Sequence, residues 1–378
     1  MTESSPGRNV ERIVALTRDL MLIPGTLSRP EDRRQCYEFV KNHLESLEHI
    51  RVREYECGGI PSLVATTPGH VEPEILLCAH LDVIGHPDPR VYRSRIEGGR
   101  IVGPGAGDMK GALAIILEVF RAVHSRHPDA SLGVAVTADE ETGGEHGVGY
   151  LFHDVGIRCG TAMIPDGGSL NEITVEEKGI LHLRLACEGH AAHAARPWLG
   201  DNPVEHLMDR LGELRAFFDG MKRDEDSWYP TCAVTIIGTE NETHNRVPSH
   251  AEAVLDIRFP PPHAVEQLME RIRVILGPRV VVKPIIQAEP THLFPDPLYG
   301  EVTEEVTGQA VMMVRDDGGS DARFMCPYDI PVLMSRPLVG NLHAEDEWID
   351  IASMDTFYRI YERYLERKLG LPPPGLHP

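Results

Sequence analysis

The sequence contains no C-x-x-C pair, no internal repeat and no low-complexity tract. Its seven cysteines (Cys36, Cys57, Cys78, Cys159, Cys187, Cys232, Cys326) are odd in number and widely spaced. That excludes a disulfide frame and a sulfur-rich metal site, and fits the reduced thiols of a cytoplasmic protein. No apolar run approaches the ~18 residues that cross a membrane. The start of the chain, Met1 to Arg8, lacks the apolar stretch of a secretory signal. Positive charge is scarce: 37 Lys and Arg face 58 Asp and Glu, a net charge of −21. Nucleic acids and anionic membranes both need a basic face, so neither is expected as a partner.

What is present is the makeup of a soluble globular protein, 42% apolar and 25% charged over 378 residues. That length suffices for a large core and two domains. The run Pro372-Pro373-Pro374-Gly375 reads as a loose end. The most distinctive stretch is Gly103-Pro104-Gly105-Ala106-Gly107-Asp108-Met109-Lys110-Gly111. Its glycines allow a tight backbone course ending in one carboxylate. A helical pattern (Ala112, Ile115, Ile116, Val119, Phe120) follows at once. A dinucleotide loop needs glycine where Asp108 stands, and a Walker loop needs glycine where Met109 stands. A phosphate site is therefore excluded. From this stretch alone, a purely structural turn and a metal-binding loop both remain open.

Buried-strand runs occur at Ile75–Ala79, Leu132–Thr137 and Thr161–Ile164. Helical spacing covers Asn9–Ile23, Arg33–His49 and Ala112–His124. Strands alternating with helices predict an α/β domain with a mostly parallel sheet. The pattern then changes. From about residue 180, the order β-α-β-β-α-β predicts a ferredoxin-like α+β insert. Alpha/beta features resume beyond residue 291, with helices near Pro297–Val306, around Asp321–Met325 and over Ile349–Leu369. The expected organisation is a discontinuous catalytic domain, 1–179 and 291–378, interrupted by a lid over 180–290.

In open α/β sheets, ligands bind beyond the carboxyl ends of the strands. His80, Asp82, Glu140, Glu141 and Asp166 all fall just past predicted strands. With Asp108 and the late His343 they form a mixed oxygen and nitrogen donor set. His80, Asp108, Glu141, Asp166 and His343 suit two Zn²⁺ ions, with Mn²⁺ or Co²⁺ as substitutes. One shared carboxylate lets five side chains hold two metals about 3.5–4 Å apart. His80, Asp108 and Asp166 are expected on one ion, and Asp108, Glu141 and His343 on the other. A water shared by the ions would have its pKa lowered towards about 7. Glu140 is then free to act as general base, passing the proton to the leaving amine. Asp82 can accept the other imidazole N–H of His80. A metal-bearing protein that only binds a small ligand is the alternative, but it would have no use for Glu140.

The motifs His80-Leu81-Asp82, the Gly103–Gly111 stretch, Glu140-Glu141-Thr142-Gly143-Gly144, Pro165-Asp166-Gly167 and Asn341-Leu342-His343-Ala344-Glu345-Asp346-Glu347 resemble those of the M20 family of zinc metallopeptidases and amidohydrolases. The resemblance spans nearly the whole chain. It implies hydrolysis of an amide C–N bond in a small carboxylate-bearing substrate, such as a dipeptide, short peptide or N-acyl amino acid. It also implies a cis peptide after Asp108 and a homodimer formed through the lid. His193, with His190 as runner-up, resembles the lid histidine that reaches the substrate carbonyl. Asn245 and Arg258 resemble residues near the substrate carboxylate. Ser320 lies in a segment similar to the family's G-G-x-S-D run and is expected at the substrate. Ser335-Arg336-Pro337 departs from the G-P-G common at that place, which turns Arg336 towards the substrate as a further expected contact.

Overall fold

The computed structural model describes residues 6–223 and 226–372. The expectation for Pro373–Gly375 lies outside the described residues. The chain divides into two compact units. One comprises Met1–Val175, Leu293–Arg315 and Ser320–Pro378, and the other Glu176–His292 with Asp316–Gly319.

The first unit is built on a six-stranded sheet. Its strands include β1 (Arg51–Cys57), β2 (Ile60–Thr66) and β3 (Ile75–His80). A small hairpin of β4 (Arg95–Glu97) and β5 (Arg100–Val102) follows, then β6 (Leu132–Thr137) and β7 (Thr161–Met163). The sheet order is β1-β2-β6-β3-β7, closed by Val332–Leu333. β3 runs parallel to both β6 and β7, and Val332–Leu333 is parallel to β7. β1 and β2 add an antiparallel edge. The sheet is thus mixed, with its parallel part in the middle. β3 and β6 are buried at every position, as their unbroken apolar runs require.

Three helices position the glycine stretch. α1 (Pro6–Met21), α2 (Pro30–Glu45) and α3 (Gly111–Arg126) share one core with the helix Ile351–Lys368. Leu113, Ile116 and Phe120 of α3 are fully buried there, beside Ile13, Leu20, Phe357 and Tyr361. Each such side chain contributes about 1.5–3 kcal/mol of burial. Lys110 is also fully buried. Its Nζ donates to the carbonyls of Leu20 at 3.0 Å and Pro24 at 2.9 Å, and to that of Ile23. One side chain thereby satisfies carbonyls left over at the end of α1 and anchors the loop to it.

Two expected helices differ. Asp321–Met325 holds one short 3₁₀ turn, Asp321–Phe324, followed by a second, Cys326–Tyr328, because Pro327 interrupts any longer helix. The last helix starts at Ile351, where the Asp350 side chain accepts the Ser353 N–H at 2.7 Å. The residues before it, Trp348–Asp350, pair instead with β5.

The second unit is a four-stranded antiparallel sheet in the order Thr231–Gly238, His250–Phe259, Gly179–Glu188, Val280–Ala288. The alternation of Leu181, Leu183, Leu185 and of Ala253, Leu255, Ile257 buries one face of it. The helices Pro203–Asp219 and Val265–Leu276 cover that face with Leu207, Leu214, Leu268 and Ile272. The Asn202 side chain caps the first of them, accepting the Val204 N–H at 3.1 Å. Thr231–Gly238 is an edge strand, and Val234, Ile236 and Ile237 on it are 40%, 58% and 56% exposed.

Candidate metal centre

His80 closes β3 and pairs in register with Thr137, the end of β6. Glu140 and Glu141 follow β6 in a 3₁₀ turn, and Asp166 follows β7. The parallel register therefore delivers these side chains to one edge of the sheet. Asp108 and His343 arrive on loops.

His80 is 2% exposed. Its Nε2 lies 3.1 Å from Asp108 Oδ1. The other Asp108 oxygen, Oδ2, lies 3.3 Å from His343 Nε2, which is also 3.3 Å from Glu141 Oε2. The potential ligand atoms fall into two groups, each within 4.8 Å of one another: His80, Glu140, Asp166 and Asp108, Glu141, His343. Asp108 belongs to the second group and touches the first through His80.

The backbone of these loops is held by carboxylates. Glu347 is 1% exposed, and its Oε1 accepts the N–H of Gly107 at 2.7 Å and of Asp108 at 2.9 Å. Its Oε2 faces the N–H of His343 at 3.4 Å. His343 has φ 66°, a left-handed conformation that costs a non-glycine residue roughly 1–2 kcal/mol. Gly107 must lack a side chain, since a Cβ there would stand 2.9 Å from Val339 Cβ and Leu342 Cδ2. The Asp108–Met109 peptide is cis. Asp82 does more than the sequence suggested. His80 Nδ1 lies 3.1 Å from its carbonyl oxygen and 3.5 Å from its Oδ1. Its carboxylate also accepts the N–H of Glu140 at 3.3 Å and of Glu141 at 3.1 Å.

Burial and mutual repulsion dominate the electrostatics. Burial pushes the Glu140 and Asp166 carboxyls well above their ordinary range, with Asp108 adding to both. Burial also raises Glu141, against the hydrogen bond from His343. Burial would raise Asp108 too, but the His343 and His80 hydrogen bonds hold it below the usual carboxylate range. So many buried carboxylates are costly unless a cation compensates them. Glu141 Oε1 is buried with no hydrogen-bond partner. Two imidazoles and several carboxylates converging this closely fit a divalent metal cofactor.

The other expected contacts each lie within their own unit. His193 is exposed, and its Nδ1 accepts the Ala195 N–H at 3.1 Å. The Asn245 carbonyl accepts the Ala194 N–H at 2.8 Å, so these two segments of the second unit lie side by side. His190 is exposed, and its backbone pairs with Asp201. Arg258 is engaged within its own strand: Nε and Nη2 donate to Asp256 at 2.7 and 3.2 Å. Residues two apart share a sheet face, which is why the fork turns to Asp256. Ser320 is 2% exposed, and its Oγ caps the 3₁₀ turn by accepting the Ala322 N–H at 3.2 Å. Arg336 Nη1 stands 3.7 Å from Asp166 Oδ1. Glu347 was missed by sequence reasoning; its position four residues past His343 was the available signal.

The family match and the relatives of this chain show a metal-dependent hydrolase that cleaves the amide bond of small substrates, and the cluster fits that class. The chain belongs to the peptidase family M20/M25/M40, whose sequence model matches residues 76–367. It is similar to a succinyl-diaminopimelate desuccinylase from Maricaulis maris, 28% identical over 340 residues covering 83% of this chain and 86% of the relative. Its fold is similar to that of the M20 family metallo-carboxypeptidase Sso-CP2 from Sulfolobus solfataricus. That match has a TM-score of 0.79 at 17% identity, covering 95% of this chain and 99% of the other. The di-peptidase Dug1p from Saccharomyces cerevisiae matches with a TM-score of 0.79 at 15% identity, covering 98% and 99%.

Proposed function

We propose that the protein cleaves the C–N amide bond of a small carboxylate-bearing substrate, a dipeptide, short peptide or N-acyl amino acid, with two Zn²⁺ ions as cofactor. Co²⁺ or Mn²⁺ would substitute. The desuccinylase and dipeptidase relatives support that substrate range. The observation that carries the reading is Asp108, whose two oxygens each face a different histidine. His80, Asp108 and Asp166 would hold one ion, and Asp108, Glu141 and His343 the other. When bound, the metals polarise the substrate carbonyl and acidify water.

Glu140 stands in the first group without being needed as a ligand, and its N–H is fixed by Asp82. Desolvation raises its carboxyl above the ordinary range. Its Oε takes a proton from the attacking water as the water oxygen bonds to the amide carbon. It then gives the proton to the nitrogen as the C–N bond breaks. His193 is assigned to the developing oxyanion and Asn245 to the substrate carboxylate. The pairing of Arg258 with Asp256 favours a structural ion pair for it. The exposed apolar edge strand Thr231–Gly238 supports a homodimer formed through the second unit. Among the described residues no helix is long and apolar enough to cross a membrane. Cys36, Cys57, Cys78, Cys159, Cys187 and Cys232 are free thiols, which supports a cytoplasmic location.

Glu140→Ala tests the base. Turnover of a panel of dipeptides and acyl amino acids should fall by about 10²–10⁴, while metal content by elemental analysis stays at the wild-type level. Unchanged turnover removes Glu140 from the mechanism.

A further inference from the structure

Arg336 and Asp166 meet because of strand register. Val332–Leu333 pairs in parallel with β7, with Leu333 opposite Met163. Asp166 and Arg336 each stand three residues beyond those partners, and so they face one another past the same sheet edge. Arg336 is held there firmly. Ser335, 1% exposed, is hydrogen-bonded through Oγ to the Tyr299 hydroxyl at 2.6 Å. Pro337 follows and confines the backbone of Arg336 to extended conformations. The guanidinium itself is poorly used. Its approach to Asp166 is one-armed and long, at 3.7 Å, and its Nε is buried without a partner. A guanidinium carries five donors and matches carboxylates in a bidentate fork. If Asp166 holds a metal, its charge would be shared with that ion, and Arg336 would be available to a second carboxylate.

We propose that Arg336 is a specificity-determining residue that receives a substrate carboxylate at the Asp166 edge of the metal centre. The substrate class is then an amide with a short acidic arm beside the scissile bond, either an N-acyl group ending in a carboxylate or an acidic residue of a dipeptide. This inference rests on the amide-hydrolase reading of the same site.

The test compares matched substrates on the zinc-loaded full-length protein: N-succinyl against N-acetyl amino acids, and Asp-X against Ala-X dipeptides. The succinyl and aspartyl arms distinguish the two sources of the carboxylate. The wild type should prefer one acidic series in kcat/KM, and Arg336→Met should reduce that preference by about 10–100-fold. Arg336→Lys should retain part of it as a point charge. Succinate binding, measured by calorimetry on the same zinc-loaded proteins, should weaken by about tenfold or more in Arg336→Met at equal metal content. Equal succinate affinity in both proteins, or an acid-to-neutral ratio unmoved by the substitution, overturns the role of Arg336. If the wild type cleaves none of these amides, the hydrolase reading fails. The succinate titration still decides Arg336.

Discussion

Asp108 presents a different carboxylate oxygen to each of two histidines, and this shapes the behaviour of both imidazoles. With no metal bound, the hydrogen bonds to Asp108 and then Glu141 push His343 up to about 10. A histidine raised in this way stabilises the folded chain fully below its unfolded value near 6.5. That contribution is lost as pH rises through about 10. A metal must displace this proton. Metal binding at pH 7 is therefore expected to release protons and to tighten as pH rises. Calorimetric zinc titrations in two buffers of different ionisation heat would measure the release, and identical heats in both would contradict it. The clustering of these residues was legible in the sequence, since His80, Glu140, Glu141 and Asp166 follow apolar strand runs and Asp108 sits in a glycine loop; His343 had no such local signal. Their supports were less so. That Asp82 also fastens the Glu140 and Glu141 backbone depends on turn geometry that no spacing reports.

At the scale of elements, the site is two loops tied by one buried carboxylate. Glu347 joins the Gly107–Asp108 turn to the His343 turn through three backbone N–H groups. Burial pushes its carboxyl up to about 7 against those donors. Glu347→Ala should lower stability by about 1–3 kcal/mol and weaken zinc affinity by about 10–100-fold. Urea unfolding and competitive zinc titration would check this; wild-type affinity in a folded variant would remove the tie. Strands β3 and β6 could be read from sequence because both faces are buried and the first polar residue marks the end. Asp321–Met325 misled because its apolar content suits a helix while Pro327 forbids one. The pairing of Arg336 with Asp166 needed the parallel register, which sequence alone does not supply.

At the scale of the molecule, the chain is two units with separate cores. The β-α-β-β-α-β order of the second unit was legible from its alternation and capping signals. The inclusion of Asp316–Gly319 was not. It depends on long-range contacts: the Lys178 N–H donates to the Asp316 carbonyl at 3.2 Å, and Lys178 Nζ lies 2.7 Å from Asp317 Oδ1. The edge strand of this unit carries the assembly prediction. Ile236→Lys places a charge on a position 58% exposed, so folding should change by no more than about 0.5 kcal/mol. Sedimentation should then show a dimeric wild type and a largely monomeric variant. A monomeric wild type at micromolar concentration would contradict dimerisation through this strand.

The account rests most heavily on one carboxylate serving both metals, and metal stoichiometry tests that directly. Zinc-loaded wild type, Asp108→Ala, His80→Ala and His343→Ala would be dialysed together and assayed by elemental analysis, with circular dichroism to confirm folding. The account predicts two zinc ions per chain in the wild type, loss of both in Asp108→Ala, and loss of mainly one in each histidine variant. A folded Asp108→Ala protein that keeps its full zinc complement would contradict it.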